Sequence, residues 1–243
     1  MSETAIRCAG LAKTYGSVAA LADVDLAVRP GEIFGIVGEN GAGKTTLIKC
    51  LLDFCEIDQG SVEIFGVSNA IVRSRAVLAY LPERFNPPHY LTGADFLRYM
   101  AHLHGNAYDA DAVAATINRL DLPPAALERP ARSYSKGMTQ KLALAACLLS
   151  EKQLYVLDEP ASGLDPRARA LLKNELRGLH RAGKTVFIAS HDLADVETLC
   201  NRMAVMHRGT LRFTGTPAEF KREYGTADIE AAFLACTASE VTC

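Results

Sequence analysis

Apolar and polar positions along this chain change period several times. Val24, Leu26 and Val28 alternate with Asp25 and Ala27, and residues 1–30 as a whole read as short, half-buried antiparallel strands. Residues 32–37 form an unbroken run of strand length. Residues 45–52 follow with Leu47, Ile48, Leu51 and Leu52 at helical spacing. Residues 61–65, closed by Gly66, predict another strand and turn. Pro87 and Pro88 stop any helix. Thr92 and Asp95 then read as a capping box that opens a helix over 96–104, a second helix covers 109–120, and Pro123 and Pro124 break the chain again. Residues from about 87 to 150 therefore predict a helical insert. After it come a buried strand at 154–157, a long helix at 166–182 and a buried strand at 185–189. Asp165 is that helix's N-cap, Pro166 its first residue and Gly183 its stop. The tail after about residue 225, rich in Ala and Thr, reads as a short helix or a partly disordered segment.

Strands alternating with helices predict an α/β fold whose mainly parallel sheet is covered on both faces. An N-terminal antiparallel β subdomain precedes it and an α-helical subdomain is inserted into it. No internal repeat or low-complexity tract complicates this pattern.

With 243 residues, 49% of them hydrophobic, the chain can build one large domain with an inserted subdomain. The 26 basic and 28 acidic residues give a net charge of -2, and no run of Lys or Arg exceeds two, so no nucleic-acid partner is expected. The seven cysteines (Cys8, Cys50, Cys55, Cys147, Cys200, Cys236 and Cys243) match neither C-x-x-C nor a zinc spacing, and read as free thiols in a reducing compartment. Cys243 lacks the aliphatic context of a prenylation signal. The first residues lack the basic start and apolar core of a signal peptide, and no apolar run is long enough to span a bilayer. The chain reads as soluble and cytoplasmic, with any membrane part supplied by another chain.

Candidate chemistry changes the picture most. Gly38 to Thr45 spell G-x-x-x-x-G-K-T between the 32–37 strand and the 45–52 helix. Gly38, Gly41 and Gly43 let backbone N–H groups wrap a chain of phosphates. Lys44 sets a charge against the outer phosphates, and the Thr45 hydroxyl can ligate Mg²⁺. The helix N-terminus points its positive end at the same anion. The 154–157 strand ends in Asp158 and Glu159, where Asp158 suits a Mg²⁺ partner and Glu159 can polarise an attacking water. Ser190, His191 and Asp192 close the second buried strand, which places His191 to sense a terminal phosphate. The fold class is thus α/β with a phosphate-loop (P-loop) NTPase core.

In content and order these residues resemble the nucleotide-binding subunits of ATP-binding cassette (ABC) transporters, over roughly residues 4–220. Tyr134, Ser135, Lys136, Gly137 and Met138 resemble the family signature, usually Leu-Ser-Gly-Gly-Gln. Ser162, Gly163, Leu164 and Asp165 match its D-loop, His191 its switch histidine, and Lys13 to Gly16 the aromatic loop that stacks on adenine. The resemblance implies a single ATPase domain over residues 1–243, using ATP and Mg²⁺. Two copies would pair head to tail, as a homodimer, around two ATP molecules. Tyr15 would stack on the base. Gly38, Asn40, Gly41, Gly43, Lys44, Thr45 and Thr46 would hold one nucleotide, with Thr45, Asp158 and Glu83 around its metal. Glu159 and His191 would be catalytic, Ser135 and Gly137 of the second subunit would cap the γ-phosphate, and Asp165 would couple the two sites. The subunit would sit at the inner face of the cell membrane, driving a separate transmembrane permease.

Two motifs depart from the family pattern. Lys136 and Met138 replace a glycine and a glutamine in the signature, and Glu83 stands where a glutamine is usual. Both departures resemble ABC-2-like export systems, which favours export over import. Phe85 and residues 87–97 are expected on the surface that meets the permease. The alternatives are a soluble cassette ATPase of translation or DNA repair, which usually carries two cassettes or a coiled-coil insert, and a non-hydrolysing regulatory ATP binder, against which Glu159 and His191 argue.

Overall fold

A computed structural model describes residues 3–238, so Cys243 lies outside the described residues. β1 (Ile6–Tyr15) and β2 (Val18–Val28) pair antiparallel across a two-residue turn, with Tyr15 opposite Val18. β3 (Ile33–Val37) leads through the phosphate loop into α1 (Lys44–Leu51). Then come β4 (Gln59–Ile64), β5 (Val67–Ser68), the short α2 (Val72–Arg75) and β6 (Leu78–Leu81). α3 (Gly93–Leu103), α4 (Ala110–Arg119), two 3-10 turns (Pro124–Glu128 and Ala131–Ser133) and α5 (Lys136–Leu149) occupy the stretch between the proline pairs and β7 (Leu154–Asp158). α6 (Pro166–Arg181), β8 (Thr185–Ser190), α7 (Leu193–Leu199), β9 (Arg202–His207), β10 (Thr210–Gly215), α8 (Pro217–Glu223) and α9 (Ile229–Ala238) complete it.

The main sheet has the order β10-β9-β3-β8-β7-β6. It is parallel from β9 to β6, with β10 antiparallel on its edge. A second, antiparallel sheet has the order β2-β1-β4-β5. The period of two along β3 sorts its side chains into two cores. Phe34 and Ile36 face the layer between the sheets, where they meet Leu47, Ile48 and Leu51 of α1. Ile33 and Val37 face the opposite layer with Leu142, Leu172, Leu176 and Val196 of α5, α6 and α7. Gly35 lies on that side, where a Cβ would come 2.8 Å from Cys200 Sγ and from Val196. Only the bare backbone lets α7 pack so closely. Burying each large aliphatic side chain contributes about 1.5–3 kcal/mol.

The structure corrects several boundaries. The 45–52 helix is shifted by one residue, within the usual fraying of helix ends. The helix expected at 96–104 opens at Gly93 instead. Thr92 Oγ1 does accept the Asp95 N–H (3.1 Å), but the Asp95 carboxylate accepts from the Thr92 hydroxyl (2.7 Å) rather than from its backbone N–H. Aspartate is one methylene shorter than the glutamate that reaches back in a full capping box. A complete box closes Thr216 and Glu219 at α8. Phe85 is half-buried, with its ring edge-on to Phe96 at 5.3 Å. Within the described residues the tail is helical, as α9. The six described cysteines are free, and all but Cys55 are buried.

Candidate active site

β3, β7 and β8 end side by side. Val37 is in register with Ser190 and Asp158 with Ala189, so the residues that follow (Gly38, Glu159 and His191) leave the sheet together. The C-terminal ends of parallel strands are where open α/β sheets bind ligands.

Gly43 is the N-cap of α1 at φ 112°, and a Cβ there would lie 2.6 Å from Ala20 O. No side chain caps α1, so its first N–H groups face the loop. Gly38 packs so tightly on Met206 O that a Cβ would overlap it. Lys44 is only 7% exposed and folds back over this loop. Its Nζ donates to Gly38 O at 2.6 Å and to Glu39 O at 3.1 Å. Burial lowers its pKa, while the carboxylates of Glu159, Asp158 and Glu83 oppose that shift.

Thr45 Oγ1 donates to Asp158 Oδ2 at 3.3 Å. Asp158 is 1% exposed. Burial, with the charges of Glu83 and Glu159, pushes its pKa up to about 6 against the lowering effects of Thr45 and Lys44. Glu159 sits at φ 49°, the left-handed region that glutamate rarely occupies. Its Oε2 lies 2.9 Å from His191 Nδ1, and the two side chains are 12% and 64% exposed. Thr45, Asp158 and Glu83 offer only oxygen donors, which fits a Mg²⁺ ion that also keeps waters and phosphate oxygens. Among the described residues no group of three or more His, Cys, Asp or Glu forms an all-protein metal centre.

A cleft of about 700 Å³ joins these groups. Asn40, Gly41, Gly43, Lys44, Thr45, Thr46, Glu83, Asp158, Glu159 and His191 line it, and Gly38 lies beneath as the acceptor for Lys44. Four expected residues stand apart. Tyr15 is 47% exposed and lies outside the lining, although its cross-strand partner Val18 belongs to it. Ser135 caps α5 by accepting the Met138 N–H, and Gly137 lies in the first turn of that helix. Asp165 caps α6, where the Ala168 N–H donated to it holds its carboxyl below the usual range. The structure adds Val18, Ala19, Ala20, Ala42, Arg84, Ser162 and Arg208 to the lining. Ser162 was legible as part of the D-loop match. Arg208 follows β9 in the turn to β10 and carried no local signal.

A phosphate loop on a buried helix, with a carboxylate pair at a parallel strand end, defines a P-loop nucleotide-binding fold. A family model described as ABC transporter matches residues 21–162. An uncharacterized ABC transporter ATP-binding protein of Synechocystis is 37% identical over 205 residues, covering 83% of this chain and 58% of that protein. Nod factor export ATP-binding protein I of Rhizobium etli is 33% identical over 220 residues, covering 89% and 70%. The solved structure of an ATP-binding subunit of an ABC transporter superposes with a TM-score of 0.88 at 28% identity, covering 96% and 99%. The chain belongs to the ABC transporter family, as one of its ATP-binding cassettes. It spans little more than half the length of the Synechocystis relative, 58%. Among the described residues no helix is long and apolar enough to cross a membrane.

Proposed function

We propose that the chain binds and hydrolyses ATP to drive a separate membrane-spanning permease in the export direction. One observation carries the ATPase reading: Lys44, Thr45, Asp158, Glu159 and His191 line a single cleft at the ends of neighbouring parallel strands. Export is supported by the likeness to the Nod factor export protein and by the departures at Glu83, Lys136 and Met138.

The α1 N-terminus and Lys44 bind the phosphates, with Gly38, Asn40, Gly41, Gly43 and Thr46 shaping the loop around them. Thr45, Asp158 and Glu83 would hold Mg²⁺, which would supply charge neutralisation to the phosphates when bound. Glu159 orients the attacking water, and His191, with its Nδ1 2.9 Å from the glutamate Oε2, fixes the carboxylate. Tyr15, in register with cleft-lining Val18, takes the base. Ser135, Gly137 and Asp165 lie outside the cleft of their own chain, which suits a head-to-tail homodimer in which a second copy completes each site. Ser135 can serve there while capping α5, because a hydroxyl accepts one hydrogen bond and donates another. The subunit then works in the cytoplasm, peripheral to the membrane that holds the permease, as a single domain over residues 1–243.

The test is capture of the full chain from detergent-solubilised membranes. A polytopic membrane protein is expected with it, together with Mg²⁺-dependent ATP hydrolysis. Glu159→Gln should leave the complex and ATP binding intact and lower turnover about 100-fold or more. Unchanged turnover would remove Glu159 from its role, and recovery of ribosomes in place of a membrane protein would favour a soluble ATPase.

A further inference from the structure

Glu159 opens a tight turn that the rest of its own strand does not hold. Its left-handed φ of 49° costs about 1–3 kcal/mol and persists only where the surroundings fix it. Inside the turn, Ser162 N–H donates to Glu159 O at 3.0 Å and Leu164 N–H to Ala161 O at 3.2 Å. Glu159 N–H donates to Ala189 O of β8 at 2.9 Å, and two further contacts reach the turn from the start of α5. Gln140 is buried, and its Nε2 donates to Pro160 O at 3.0 Å. One helical turn earlier, Lys136 Nζ donates to Ser162 Oγ at 3.3 Å. Residues four apart share one face of a helix, so both donors bear on the same turn.

The lysine stem is seated as well as its tip. A Cβ on Gly163 would lie 2.8, 2.9 and 3.0 Å from Lys136 Cε, Cδ and Cγ. The bare Gly163, at φ 75°, therefore forms the bed over which the lysine methylenes cross. Ser162, at the end of that reach, lines the cleft with Glu159 and His191, whereas Lys136 does not. A path of direct contacts thus runs from Lys136 through Ser162 to Glu159, all within one chain. The buried Gln140 bond is its fixed point, and the exposed Lys136 bond is the point that can release.

We propose that Lys136 is a positioning residue for hydrolysis, holding the 159–163 turn through Ser162 so that the Glu159 carboxylate keeps its place. The proposal rests on the reading of the cleft as an ATPase site. A misplaced catalytic group lowers the chemical step while leaving uniform substrate binding untouched, so the signature is in kcat and not in KM.

The test is steady-state Mg²⁺-ATPase and ATP binding of the full chain. Lys136→Met keeps the stem and removes the donor. Its kcat should fall about three- to tenfold, with KM and the Kd for ATP unchanged, the scale of one lost hydrogen bond. Lys136→Arg should return to within about twofold of the parent. Ser162→Ala should slow the reaction by a similar factor, and the double variant Lys136→Met/Ser162→Ala should be no slower than the slower single variant. A Lys136→Met kcat within twofold of the parent overturns the proposal. So do effects that multiply in the double variant, failure of Arg to rescue, or a change confined to KM. Any of these beside a turning-over parent overturns the positioning role alone, whereas a parent that binds ATP without hydrolysing it overturns the ATPase reading and the positioning role together.

Discussion

Two helices of this protein, α1 and α5, open at the two motifs expected to meet phosphate, and their N-termini are finished in opposite ways. α1 starts from Gly43 in a left-handed conformation with no side-chain cap. α5 starts from Ser135 in an extended conformation, and the serine oxygen accepts the Met138 N–H. The first terminus leaves its N–H groups and its positive dipole end to a ligand. The second meets part of that need from its own sequence and lies outside the cleft. Charge follows the same division. α1 carries buried Lys44 against Asp158 and Glu159, whereas α5 carries Lys136 across the surface of the turn after β7. An open N-terminus beside a buried cation makes a phosphate site within one chain. The capped one stands outside the cleft of its own chain and bears instead on the turn after β7.

Removing the cation of the open terminus should have the largest effect. Lys44→Ala is expected to weaken ATP binding about 100-fold or more in equilibrium titrations, since a buried charge-assisted contact to the outer phosphates is lost. Micromolar affinity retained in that variant would contradict the phosphate-loop assignment and erase the contrast between the two termini.

A smaller effect comes from the carboxylate that α1 faces. Burial, with Glu83 and Glu159 nearby, raises Asp158 from 3.8 to about 6. Its ionisation therefore opposes folding of the unliganded protein. The stability it contributes is complete below pH 3.8 and is lost as pH rises through about 6. Asp158→Asn should remove this dependence. In nucleotide-free denaturant unfolding the variant should gain about 1–3 kcal/mol at pH 7.5, and the gain should vanish near pH 4. A loss of stability at pH 7.5 would show that the Thr45 hydrogen bond outweighs the cost of burying the charge.

The smallest effect probes the closed terminus. Ser135→Ala removes the α5 cap and should cost about 1 kcal/mol in thermal unfolding, with ATP binding by the dilute monomer unchanged. A matching loss of binding would mean that the two termini are not independent.

Much of this molecule is legible in local pattern. The 32–37, 154–157 and 185–189 runs became β3, β7 and β8, and Asp165 caps α6 as its position before a proline predicts. The signals missed were of two kinds. The complete box at Thr216 and Glu219 was local and readable, as was the start of α3 at Gly93, where the short aspartate misled. The assembly of β9 and β10 beside β3 was not local, because short strands such as Arg202–His207 take their meaning from the neighbours they pair with. The site divides in the same way. Gly38 to Thr46 are contiguous, and their chemistry follows from their order, whereas Arg84 and Arg208 reach the cleft from distant turns.

The phosphate loop, the carboxylate pair and the strand–helix alternation can be read from the chain alone. Each depends on residue type at fixed spacing along one stretch of backbone. Folding brings Glu159 within 2.9 Å of His191, rests Lys44 on Gly38 O, leaves Tyr15 outside the lined cleft and lays Lys136 across Gly163. Those outcomes depend on the register of parallel strands and on the close packing of helices against them. Such long-range geometry is set by the whole core at once and by no single segment of the chain.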